Sequence, residues 1–120
     1  MPQYLFLLYD DESRWTAPSD EEMAAEMGKH RMFSETVAGT DGAQIVGGAA
    51  LQPTGTATTL RPGEDGPVLS DGPFAETKEA LGGYYLVEAR DLDLALSLAR
   101  SCPMGLGAVE VRPVWEIPGM

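Results

Sequence analysis

The chain has 120 residues, 43% hydrophobic and 22% charged, enough to bury a core without disulfides or a metal. Nineteen acidic residues against eight basic ones give a net charge of −11, a field that repels phosphate backbones and anionic membrane surfaces, so nucleic acid and membrane are excluded as partners. The single cysteine, Cys102, rules out an internal disulfide and, with only one histidine, a zinc or iron–sulfur site within the chain.

From the N-terminus, residues 3–9 form a continuous aromatic and aliphatic run that ends at Asp10-Asp11-Glu12. Its length and composition predict a buried strand. The run is too short to span a bilayer and has no basic region ahead of it, so a soluble, cytoplasmic chain is expected. Residues 10–18 read as a loop. Ser19 and Glu22 then make a capping box, with Asp20 and Glu21 adding first-turn acids that favour the helix dipole. The helix runs to about Val37. Met23, Met27, His30, Phe33 and Val37 fall on one apolar stripe, and Gly39 and Gly42 close it.

Gln44 to Leu51 reads as a second strand, and the threonine-rich segment Thr54 to Leu60 as a third. Residues 61–67 are turn material, and Val68-Leu69-Ser70 is a hairpin arm that pairs back. The string Asp71-Gly72-Pro73-Phe74-Ala75-Glu76-Thr77-Lys78-Glu79-Ala80-Leu81-Gly82-Gly83 follows, leading into a strand over Tyr84 to Ala89. Asp91 caps a second helix, Leu92 to about Ser101, which Pro103 stops. The last strand, 109–117, alternates, and Pro113 assigns it to an edge or a bulge.

This is one domain over residues 1–120. Without the hairpin the order is β-α-β-β-α-β, an α+β ferredoxin-like pattern with both helices on one face of an antiparallel sheet. Residues 4–9 and 84–87 are apolar on both faces, however. Something must cover the second face, and the same sheet from a second copy does so. A homodimer with face-to-face sheets is expected.

Several stretches together resemble the YCII-related, DGPF-domain family of small bacterial proteins. They are Tyr9-Asp10, Leu51-Gln52-Pro53, Ala57-Thr58-Thr59-Leu60-Arg61, the string 71–85, Asp91-Leu92-Asp93, Cys102-Pro103 and Val109-Glu110-Val111-Arg112-Pro113-Val114. The resemblance covers nearly the whole chain. It implies a dimeric α+β barrel and, through genes encoded beside extracytoplasmic-function sigma factors, such a factor as a partner. It also implies a histidine and an aspartate as a suspected active site. His30 stands at about the place of the family histidine. Where the relatives carry their aspartate this chain reads Ser101-Cys102-Pro103-Met104, so that residue is absent and Asp71 is the substitute nominated.

Each candidate also has a plainer role. His30, the only histidine, can act as a general acid or base near neutral pH or can be a histidine at the core edge bonded to a carbonyl. Asp71 can orient that imidazole or simply begin a turn before Gly72-Pro73. The run Glu76-Thr77-Lys78-Glu79 is either a solvated helical turn or a polar lip, with Lys78 for an anionic group. Tyr84 and Tyr85 point to opposite faces of their strand, so one of them at most lines a given pocket; Tyr84 is nominated for substrate contact. Cys102 reads as packing. Two functions follow. One is a dimeric small-molecule protein, an acid–base enzyme with no cofactor, using His30 and Asp71. The other is a non-catalytic accessory protein whose acidic surface suits a basic partner.

Overall fold

The two stretches that are apolar on both faces, residues 4–9 and 84–87, meet in the middle of one sheet. The structure, a computed structural model, describes residues 1–15 and 17–120. Strand β1 is Gln3–Asp11, helix α1 Asp20–Ala38, β2 Ala43–Ala50, β3 Thr58–Arg61, β4 Val68–Asp71, β5 Glu79–Ala89, α2 Leu92–Ala99 and β6 Ala108–Pro113. Short 3₁₀ turns cover Glu12–Trp15 and Thr54–Thr56. The loop expected over residues 10–18 is thus partly strand and partly 3₁₀ turn, and its residue 16 lies outside the described residues.

Strands β2, β5, β1 and β6 form a four-stranded sheet in that order, every neighbouring pair antiparallel. Together with two helices this is consistent with a ferredoxin-like α+β fold. Strand β6 lies at the sheet edge and Pro113 is its last residue, so its missing N–H is lost from no ladder. Strands β3 and β4 form a separate two-stranded ribbon.

Sequence periodicity accounts for the core. Tyr4 and Phe6 of β1 and Val87 and Ala89 of β5 point to one face, where Phe33 and Val37 of α1 and Ala95, Leu98 and Ala99 of α2 close over them with Cys102. Both helices therefore lie on the same side. The other face presents Leu5 opposite Leu86 and Leu7 opposite Tyr84, all four half-buried, with Arg112 and Glu110 beside them on β6. The Arg112 guanidinium donates to Glu110. The chain measures 51 × 46 × 18 Å, its short dimension matching one sheet and one layer of helices.

Four further boundaries differ from the sequence reading. The third segment is a 3₁₀ turn before it is a strand, because the Thr56 hydroxyl and amide both bond back to the Pro53 carbonyl. The last strand ends at Pro113 rather than residue 117, and the Val114 amide makes one further bond to the Gln3 carbonyl. Helix α2 ends at Ala99 rather than Ser101. The string before Tyr84 is no helical turn from Glu79 onward: Glu79 already pairs with Asp11 and begins β5. An irregularity follows, for Leu8 faces Gly83 while Tyr9 faces Leu81, leaving Gly82 as the extra residue of a bulge.

Candidate functional site

Helix α1 begins as its capping box dictates. The Ser19 hydroxyl accepts from the Glu22 amide, and the Glu22 carboxylate accepts from the Ser19 amide, which holds the Glu22 carboxyl below its ordinary range. The apolar stripe then divides. Phe33 and Val37 are buried, but Met23 and Met27 are exposed, Met27 at 60%. On the helix-facing side of the sheet Tyr85 has Gly48 beside it on β2 and Gly83 two residues before it on β5, with Phe6 and Leu8 across on β1. A Cβ on Gly48 would stand 3.0 Å from the Tyr85 ring and 2.8 Å from the Tyr84 carbonyl, so the close approach requires glycine.

His30 sits where the packed half of the helix gives way to the open half. Its Nδ1 lies 2.6 Å from the Tyr85 hydroxyl, and its Nε2 lies 3.6 Å from a Glu26 carboxylate oxygen one helical turn earlier. The side chain is 28% exposed, so imidazole and solvent are in contact. The Tyr85 ring packs on Phe33 with centroids 4.9 Å apart, which fixes the phenol. Burial, and after it the nearby Cys102 thiol, raises the Tyr85 pKa, so the hydroxyl keeps its proton. A carboxylate facing Nε2 favours a proton on that nitrogen. Nδ1 is then the acceptor and the phenol donates to it, a tautomer assigned by this network. The imidazole thus stands between a hydrogen-bonded phenol and a carboxylate at ion-pair distance.

The other nominated residues are elsewhere. Asp71 ends β4 on the ribbon, exposed, and no hydrogen bond joins it to His30. Its segment is held by backbone geometry: Gly72 has φ 102°, its amide donates to the Ala57 carbonyl, and its carbonyl accepts from the Thr59 hydroxyl. Lys78 is exposed and lies near Asp11, whose carboxyl is held low chiefly by Ser13 hydrogen bonds with a smaller contribution from Lys78. Tyr84 faces the open side of the sheet, opposite Leu7, and so on the far side from His30. A hollow of about 230 Å³ lies by the string itself, between Thr54, Gly72, Pro73, Glu76, Thr77 and Ala80. The Glu12 carboxylate anchors one wall by accepting from the Thr54 amide and hydroxyl.

Sequence reasoning placed His30 but missed Tyr85 as its partner. One signal pointed there: the two tyrosines alternate, and the one in phase with Val87 and Ala89 must face the helices.

The family model of the YCII-related domain matches residues 2–118. The chain belongs to the YCII-related family. An uncharacterised protein of Rhizobium meliloti (strain 1021) is 39% identical over 118 residues, covering 92% of this chain and 90% of that protein. That YCII-related relative has no described activity in its name. Among the described residues of this YCII-related chain, no helix is long and apolar enough to cross a membrane.

Proposed function

We propose that the chain works as a homodimer that binds a small molecule at His30 and Tyr85, with the imidazole as proton-transfer group. The observation that carries this reading is the setting of the imidazole: Nδ1 is 2.6 Å from a fixed phenol, Nε2 is 3.6 Å from a carboxylate, and the ring meets solvent at the open half of α1. With the phenol donating to Nδ1, its oxygen is left to accept from a ligand N–H or O–H. The imidazole can take up the phenol proton as the phenol takes the ligand's, the imidazolium drawing charge stabilisation from Glu26. Met27 and Met23 continue the same helix stripe at three and seven residues before His30, which favours a ligand with an apolar body. Net charge −11 favours an uncharged or cationic ligand over an anion.

The dimer draws support from the sheet. Leu5, Leu7, Tyr84 and Leu86 make an apolar centre, and Glu110 and Arg112 lie at its border, the arrangement of an interface with a polar rim. Tyr84 is then a contact between copies, and the two sheets close the dimeric barrel. Asp71 serves its turn.

The accessory reading, a non-catalytic partner of a sigma factor, draws on different features: the acidic surface and Trp115, which is 83% exposed. A thermal-shift screen of small metabolites on the native chain, His30→Ala and Tyr85→Phe separates the two. Ligands that stabilise the native chain and lose their effect on both variants are the expected result. Equal shifts in all three proteins remove His30 and Tyr85 from the site, and an unresponsive native chain favours the accessory reading.

A further inference from the structure

The chain exposes more surface than its mass accounts for. Its accessible area is 8444 Å². A compact monomer of 12.8 kDa exposes about 6,300 Å². The excess is about 2,100 Å². Obligate homodimers bury about 1,000–2,500 Å² per protomer. The radius of gyration agrees, at 16.5 Å against about 14 Å for a compact chain of this length. The open sheet face does not account for all of this, because its apolar residues are already half-buried within one chain.

The ribbon β3–β4 supplies the remainder. An isolated two-stranded ribbon is marginal in water, and none of its residues is buried. Its two faces differ. On one, Arg61 stacks over Phe74 and donates to the Phe74 carbonyl and the Ser70 hydroxyl, beside Thr59. On the other, Leu60 and Leu69 pair directly across the strands, 59% and 65% exposed. A cross-strand leucine pair with no layer over it is the unmatched half of a contact.

We infer that the β3–β4 ribbon is a dimerisation arm whose Leu60–Leu69 face packs on a second copy of this chain. The inference rests on the sheet-to-sheet dimer proposed above and enlarges it. Three observations favour a second copy over an unrelated protein. The excess area matches what one further copy covers. The arm springs from the ends of β2 and β5, two strands of the sheet face already assigned to the interface. Two copies each carrying −11 repel, so their contact needs apolar surface, and this face offers two paired leucines.

The test uses the full chain. Sedimentation equilibrium compares the native protein with Leu60→Asp/Leu69→Asp, with the single variant Leu69→Asp and with Val68→Asp, which puts the same charge as Leu69→Asp on the opposite face of the ribbon. The dimer Kd is expected to rise at least about tenfold in the double variant and to stay within about threefold in Val68→Asp. Hydrogen exchange of residues 58–71 in the native chain reads the same face without substitution, and protection should grow as the dimer fraction grows. A native dimer whose Kd is indifferent to the double variant overturns the arm and leaves the sheet contact standing. Equal weakening by Leu69→Asp and Val68→Asp, or ribbon exchange independent of dimer fraction, also overturns the arm. A native chain that stays monomeric at micromolar concentration overturns both.

Discussion

Helix α1 has two halves with the same apolar spacing and opposite fates. Phe33 and Val37 are sealed against Phe6, Val87 and Tyr85, whereas Met23 and Met27 stay in water. The helix sequence does not make the difference. What each half meets does: Phe33 lies against the Phe6 and Tyr85 rings, and the two methionines stay exposed. A stripe is an offer of burial, and the opposite surface decides whether it is taken up. His30 marks the border where packing stops.

That contrast can be broken by measurement. Phe33→Ala in the closed half should cost about 3–5 kcal/mol, read as a fall in the urea midpoint. A loss below about 1 kcal/mol would mean that the closed half is not the stabilising one. The same half should be sensitive to alkali. Burial raises the Cys102 thiol from 9.0 to about 12, so between those values the unfolded chain has released a proton that the folded chain still holds. Stability therefore falls as pH rises through that window, and Cys102→Ala should flatten the slope of unfolding free energy against pH. An unchanged slope would place the alkaline sensitivity elsewhere.

At the start of the open half, Ser19→Ala removes a cap that packing does not replace, at about 1 kcal/mol. At the border, Tyr85→Phe loses a single hydrogen bond, about 0.5–1.5 kcal/mol, and should move the ¹⁵N resonance of His30 Nδ1 more than that of Nε2. Equal movement of both nitrogens would contradict the assigned tautomer. Smallest of all, Met27→Ala should change stability by less than about 0.5 kcal/mol. A ligand-dependent loss in that variant, with stability intact, would show Met27 working in binding.

Much of this was legible from the sequence. The α+β element order, the capping box, the position of Pro113 at an edge and the family all follow from residues read in order. What escaped has two causes. The charged run Glu76-Thr77-Lys78-Glu79 carries no period, and Glu79 becomes strand because Asp11, far away in sequence, pairs with it. The His30–Tyr85 pair likewise spans 55 residues and depends on the register of β5, displaced by the bulge at Gly82. Nonlocal pairing decided both. Asp71 drew attention as the nearest acid in an unusual string, yet the hydrogen bonds around it belong to its own turn.

The solitary imidazole has one more consequence. With no second histidine in the sequence, every imidazole signal comes from the ring that stands between Glu26 and Tyr85. The chain carries a built-in reporter: one ring, one set of resonances, and a direct record of whatever comes to occupy the open half of the helix.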